Sequence, residues 1–338
     1  MRKIKYLVLP LALLLLLVGC APQTPEATSQ IFAMDTVMDF FAMGEQAEAT
    51  LTAAAQEINR LESLLSRTRQ GSEVDALNRH GSTVLSDETA SLLGAALDYC
   101  EMTGGAFDIT IAPLVDAWNI HGENPHVLTD GEIAALLPLV GSDHLHLDGT
   151  SAALDAGCAI DLGGIAKGYA SDVVARLYRE NNIQGGWISL GGNVYAHGTK
   201  PDGSGWNVSI RDPGDTAASA AIVTLSNEFA VTSGGYQRFF TAQDGTVYQH
   251  ILDPHTGKPA QSDLLSVTII ADNGTMADAY STALYVMGQS GAVSYWSAHR
   301  AEFDMVLITA DNRLLYTPGL LGRITTEEGG PYEVYALT

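Results

Sequence analysis

Adjacent glycines at 163–164, 185–186, 191–192 and 234–235 each fall beside the end of a predicted helix or strand. Such pairs admit left-handed backbone and let one segment approach another closely, so they point to short elements joined by tight turns. No heptad, low-complexity tract or internal repeat points elsewhere. The stretches between them mix both periodicities. Residues 31–43 alternate loosely as a strand does, whereas Leu51, Ala54, Ile58, Leu61 and Leu65 form one helical stripe within 46–65. Residues 66–72 read as a loop, and Ser86, Asp87, Glu88 and Thr89 open a second helix running to about Met102, where Gly104 and Gly105 stop it. Residues 118–127 read as a surface loop, and Thr129 through Glu132 as the cap and first turn of a short helix.

In the second half, a strand-like run precedes Asp161, a helix is expected over 165–180, and strands over 186–190, 206–211, 221–225, 229–232, 264–270 and 305–309. Helices are expected over 276–287 and 292–298. No Ser/Gly-rich linker divides the chain. The expected architecture is therefore a mixed α/β (α+β) fold over 31–338, with two closely joined lobes sharing a cleft.

The first twenty residues are distinct. Arg2, Lys3 and Lys5 precede an almost wholly apolar run over 7–18, closed by Gly19 and Cys20. The run is short for a membrane span and is followed by polar, Pro-containing sequence. It is similar to a bacterial lipoprotein signal over 1–19, with Cys20 the lipidated first residue and 20–30 a tether. An ordinary secretory leader with an incidental cysteine has much the same letters; the small Gly19 before Cys20 favours lipidation. The expected location is the extracytoplasmic face of the cell membrane, the periplasmic side in a Gram-negative envelope.

Beyond that leader, 14 Lys and Arg face 39 Asp and Glu. A surface this acidic repels phosphate backbones and argues against a nucleic-acid partner. An anionic cofactor would need local help from backbone N–H groups, a lysine or a metal. Cys100 and Cys158 match no metal or redox spacing and read as buried free thiols.

Three constellations carry possible chemistry. Asp161-Leu162-Gly163-Gly164-Ile165-Ala166-Lys167-Gly168-Tyr169 sets two glycines at a helix start, with a carboxylate before them and a lysine after. Helix N–H groups favour an anion there, and a plain strand-to-helix turn with a solvated lysine has the same letters. Asp278 and Thr282 are i and i+4 on one helix face, with Ser281 close by; oxygen ligands of this kind suit Mg²⁺, and a capping aspartate with a back-bonding threonine is the other reading. His250 precedes an apolar pair and a Pro-containing turn, placing an imidazole where it could exchange protons or simply pack. Phe107 and Asp108 follow Gly104-Gly105 and could stack on and hydrogen-bond an aromatic ligand, and a packed phenylalanine beside a capping aspartate has the same letters.

Together these segments give the chain its resemblance to the ApbE family of flavin transferases, over about residues 31–315. The resemblance rests on Gly105-Ala106-Phe107-Asp108-Ile109-Thr110, Asp161 through Tyr169, Ser189-Leu190-Gly191-Gly192-Asn193, Val231-Thr232-Ser233-Gly234, His250 through Gly257, and Ala277-Asp278-Ala279 with Ser281-Thr282. It implies an FAD pocket formed by Met34, Ala106, Phe107, Asp108, Asp161, Lys167 and Ile251. It also implies Mg²⁺ near the diphosphate, held by the Gly164 carbonyl, Asp278 and Thr282, with Ser281 where some members carry Asp. Asp35 stands where the family usually has Gly.

The implied reaction is attack of an acceptor-protein threonine hydroxyl on the FMN-side phosphorus of FAD, with release of AMP. His250 is the leading proton acceptor, and Asp278 is chiefly a metal ligand. Membrane-associated electron-transfer subunits are the implied acceptors. Hydrolysis of FAD to FMN and AMP uses the same groups with water as nucleophile, and a non-catalytic flavin- or solute-binding lipoprotein is the alternative of a different class.

Overall fold

The computed structural model describes residues 24–120, 122–327 and 329–338; the leader and Cys20 lie outside them. Its centre is a nine-stranded sheet in the order Glu26–Ala33, Thr36–Met43, Gly185–Leu190, Asn193–Gly198, Glu228–Gly234, Leu264–Ala271, Asp304–Thr309, Arg313–Tyr316 and Glu333–Ala336. Neighbours are antiparallel except the last pair. The first strand starts inside the 20–30 stretch expected to be a tether, and Pro25 already accepts a hydrogen bond from the Gly44 amide.

Strand alternation sends each face of this sheet to a different core. Met305 and Leu307 enter the main core with Phe40, Ile188, Val231, Val267 and Ile269, beneath the helices Ala47–Leu65, Ala166–Glu180 and Gly274–Ala298. Val306 and Ile308 point the other way, against Val208, Ile210, Val223 and Leu225 of a three-stranded sheet. A third cluster gathers Leu114, Trp118, Leu128, Ile133 and Leu252 around the short helices Ala112–Trp118 and Asp130–Leu136. The mixed α/β expectation holds. Among the described residues no helix is long and apolar enough to cross a membrane.

Most expected elements appear within a few residues of their predicted ends, and the stripe from Leu51 to Leu65 is fully inside. Ser86 caps the helix Asp87–Met102, and Thr129 with Glu132 forms the capping box of Asp130–Leu136. The helices Glu73–His80 and Ala112–Trp118 and the strand Asn193–Gly198 had not been anticipated. The helices expected over 276–287 and 292–298 are the two arms of Gly274–Ala298, kinked at Gly288, where φ is +71°.

Two long helices are joined by each other's aspartates. The helix Ala166–Glu180 has no side-chain cap of its own, and the amide of Gly168 in its first turn donates to Asp278 Oδ2 at 2.8 Å. In return Asp172 accepts from the amides of Gly274 and Thr275 at 2.8 and 2.7 Å, at the start of the helix carrying Asp278. Each carboxylate satisfies first-turn N–H groups that its partner helix leaves orphaned. Burial pushes the Asp172 carboxyl above the usual range, while Thr275 and Gly274 pull it back down.

The crossing is close enough to require glycine. A Cβ on Gly168 would lie 2.3 Å from the Gly274 carbonyl oxygen and 2.6 Å from Asp278 Cβ. Gly168→Ala should therefore force the helices apart and destabilise the chain by about 2–3 kcal/mol. Urea unfolding followed by circular dichroism measures this, and a change below about 0.5 kcal/mol contradicts the packing.

Candidate functional site

The segment from Asp161 to Lys167 turns sharply between the main core and the start of the Ala166–Glu180 helix. Asp161 Oδ1 accepts from the Gly163 amide at 2.7 Å, closing the turn, and Oδ2 pairs with Arg67 Nε at 2.8 Å. Lys167 Nζ donates to the Gly163 carbonyl at 3.1 Å, which keeps its ammonium over the same turn. Gly164 lies under the Phe107 ring: a Cβ there would stand 3.1 Å from the ring edge and 3.5 Å from Thr282 Oγ1. Phe107 and Thr282 therefore meet at this turn, and Asp278 reaches the first turn of the helix that follows it through Gly168.

Phe107 and Ala106 are buried in the core. Asp108 is buried as well, and its Oδ1 accepts from the amide and hydroxyl of Thr110, each at 2.7 Å. Burial pushes its carboxyl upward against those hydrogen bonds. Asp278 is 4% exposed. With Oδ2 held by Gly168, its Oδ1 takes no protein hydrogen bond among the described residues. Ser281 is fully buried, donating to the Asp278 carbonyl at 2.9 Å and lying 2.8 Å from Ser233 Oγ, which is in turn 3.3 Å from Thr282 Oγ1.

A metal implied by the family resemblance can be tested against these groups. The Gly164 carbonyl, the Asp278 carboxylate and the Thr282 hydroxyl are all oxygen donors, the chemistry Mg²⁺ requires. Asp278 Oδ1, which takes no protein hydrogen bond among the described residues, is the oxygen such an ion would take up. Among the described residues no cluster of three or more His, Cys, Asp or Glu side chains is arranged to hold a metal, so an ion at Asp278 would complete its shell from Gly164, Thr282, water and substrate. The residues fit.

Met34 and Asp35 form the two-residue turn between the first two strands, with Ala33 paired to Thr36. Both have left-handed backbone, φ +48° and +57°. This is the type I′ geometry that suits a tight hairpin. Asp35 adopts it as a glycine would, so the departure at this position keeps the turn. Met34 is the costlier residue there, and its amide is held by Glu62 Oε1 at 2.8 Å.

His250 lines a small pocket with Arg67, Val115, Asp116, Trp118 and Leu252. Its Nδ1 lies 3.1 Å from the Arg238 carbonyl oxygen. That acceptor has no hydrogen to give, so Nδ1 carries the ring proton of the neutral imidazole and Nε2 is the basic nitrogen. Beside it, Ile251 is buried, its amide held by Gln249 Oε1 at 2.6 Å.

Arg67 joins this pocket to the glycine turn, since it bonds Asp161 and also Asp116 at 2.6 Å. Burial works against its charge, but Asp116 and Asp161 win and raise its affinity for the proton. Sequence reasoning missed Arg67, Ser233, Glu62 and Arg238. Ser233 lies within Val231-Thr232-Ser233-Gly234, but the others occupy segments with no local signature.

Cys100 and Cys158 are free and buried. Burial pushes the Cys100 thiol up to about 12. At pH 8 in the folded chain, Cys100 should therefore resist maleimide for hours and react only on unfolding. Rapid native labelling, read by peptide mass, would contradict its place in the core.

The ApbE family model matches residues 34–307. A protein of Vibrio cholerae named FAD:protein FMN transferase is 31% identical over 312 residues, covering 89% of this chain and 93% of its own length. One of the same name from Treponema pallidum is 33% identical over 303 residues, 82% of each chain. Among solved structures, the ApbE protein of Thermotoga maritima superposes with a TM-score of 0.83 at 30% identity, over 90% of this chain and 100% of that one. The flavin transferase ApbE of Vibrio cholerae gives 0.79 at 26% identity, over 89% and 99%. A family match over residues 34–307, with relatives above 30% identical across most of both chains, makes this chain a member of the ApbE family.

Proposed function

We propose that this chain is an FAD:protein FMN transferase, moving the FMN moiety of FAD onto a threonine hydroxyl of an acceptor protein and releasing AMP. The convergence of Gly164, Lys167, Asp278 and Thr282 at one turn carries the reading, because a diphosphate in so acidic a chain needs such a place. FAD lies in a cleft between two closely joined lobes, with its flavin toward Met34 and its contacts drawn from Ala106, Phe107, Asp108, Asp161, Lys167 and Ile251.

Gly164, Asp278 and Thr282 would hold Mg²⁺. That ion would supply neutralisation of diphosphate charge and stabilise the charge that builds as the phosphoanhydride breaks. Ser281 steadies the set through Ser233 and stays out of direct ligation, since its hydroxyl is already engaged twice. Lys167 adds positive charge beside the leaving phosphate. His250 takes the threonine proton at Nε2. Arg67 fixes Asp161, so both the turn and the imidazole pocket keep their shape while FAD is bound.

The acceptor is a membrane-associated electron-transfer subunit. The enzyme meets it on the extracytoplasmic face of the cell membrane, held there through a lipidated Cys20 after loss of residues 1–19.

Asp278 also caps a helix, so the variant must separate the two roles. Asp278→Asn keeps an oxygen for the Gly168 amide but removes the charge. It should lower acceptor labelling at least about 100-fold with little change in unfolding temperature. EDTA should abolish labelling by the unaltered chain, and added Mg²⁺ should restore it. Intact mass of the acceptor after incubation with FAD is the readout. Unimpaired labelling by Asp278→Asn refutes the metal role, and FMN released without acceptor labelling replaces transfer by hydrolysis.

A further inference from the structure

One residue touches both the flavin-side turn and the proposed base. Arg238 donates through Nη2 to the Asp35 carbonyl at 2.8 Å, across 203 positions of sequence. Its own carbonyl accepts from the His250 amide at 3.1 Å and faces His250 Nδ1 at the same distance. The backbone of Arg238 thus meets both the amide and the imidazole of His250, and its side chain ties that backbone to the turn bearing Met34.

The tie matters because of where Arg238 sits. It enters a ribbon of two strands, Phe239–Thr241 and Val247–Gln249, that pairs with no other sheet among the described residues. A two-stranded ribbon is marginal alone, so its position depends on such links. Tyr248 packs on Trp118 with ring centres 5.4 Å apart at the far strand, and the Arg238 guanidinium secures the near one. The turn it reaches is held from the other side by Glu62 on the Met34 amide.

We propose that Arg238 is a positioning residue that sets His250 relative to the flavin-side turn, so that the base is in place when FAD occupies the site. This rests on the assignment of His250 as base and of the Met34 side to flavin. An exposed charged hydrogen bond of this kind contributes modestly, so the expected effect is about five- to tenfold in rate, not abolition.

A double-mutant cycle on the whole chain tests it, read as the rate of acceptor labelling by intact mass at saturating FAD and Mg²⁺. Arg238→Met should slow transfer about five- to tenfold with FAD saturation unchanged as the limiting condition, and Arg238→Lys should recover most of the loss. In a His250→Asn background, Arg238→Met should change the residual rate by less than about twofold, because the group it acts through is gone. Equal losses in both backgrounds, or no loss in the single variant, overturn the inference. A wild-type chain that leaves acceptor unlabelled, or a His250→Asn variant as fast as wild type, removes the reading beneath it and the inference with it.

Discussion

The exchange of aspartates between the helices Ala166–Glu180 and Gly274–Ala298 holds the site together. Asp278 caps one helix and Asp172 the other, and Gly168 is the point where the backbones come close enough for both. A cap of this sort contributes about 1 kcal/mol by itself. Its larger consequence is positional. With Oδ2 committed to the Gly168 amide, Asp278 is fixed on the helix that also carries Thr282, whose hydroxyl lies beside Gly164, so the scaffold contact also orients the residue proposed as metal ligand.

That arrangement answers the electrostatic problem of the chain. Only 14 cationic side chains follow the leader, against 39 carboxylates, yet Arg67 pairs with Asp161, Lys167 holds the Gly163 carbonyl and Arg238 holds the Asp35 carbonyl. Two of the three are tied to backbone carbonyls and the third to carboxylates. Their charge is fixed in place by the fold, the preorganisation that a diphosphate site of the proposed kind requires.

Much of this was legible from residue order. The stripe from Leu51 to Leu65, the Ser86 and Thr129 caps and the glycine turn at 163–164 are local signals, and local physics decided them. Helix Gly274–Ala298 was read as two pieces because Gly288 truly breaks its backbone. The alternatives at Asp278 turned out to be compatible: the aspartate does cap a helix, but a helix 110 residues away in sequence. Arg67 and Arg238 escaped notice because their meaning lies in partners 94 and 203 positions distant, and no periodicity records such pairings. The strand Glu26–Ala33 reads in part as tether because its exposed edge positions are polar, whereas Ala33 and the hairpin register bind it to the sheet.

The central claim is that Asp278 anchors a divalent cation at the turn beside Gly164 and Thr282. Electron paramagnetic resonance of Mn²⁺, used in place of Mg²⁺, reports that ion directly and without reference to turnover. The account expects the chain to take up Mn²⁺ more tightly once FAD is present, and Asp278→Asn to lose that uptake while remaining folded. Equal Mn²⁺ uptake by the folded Asp278→Asn chain, with and without FAD, would contradict it.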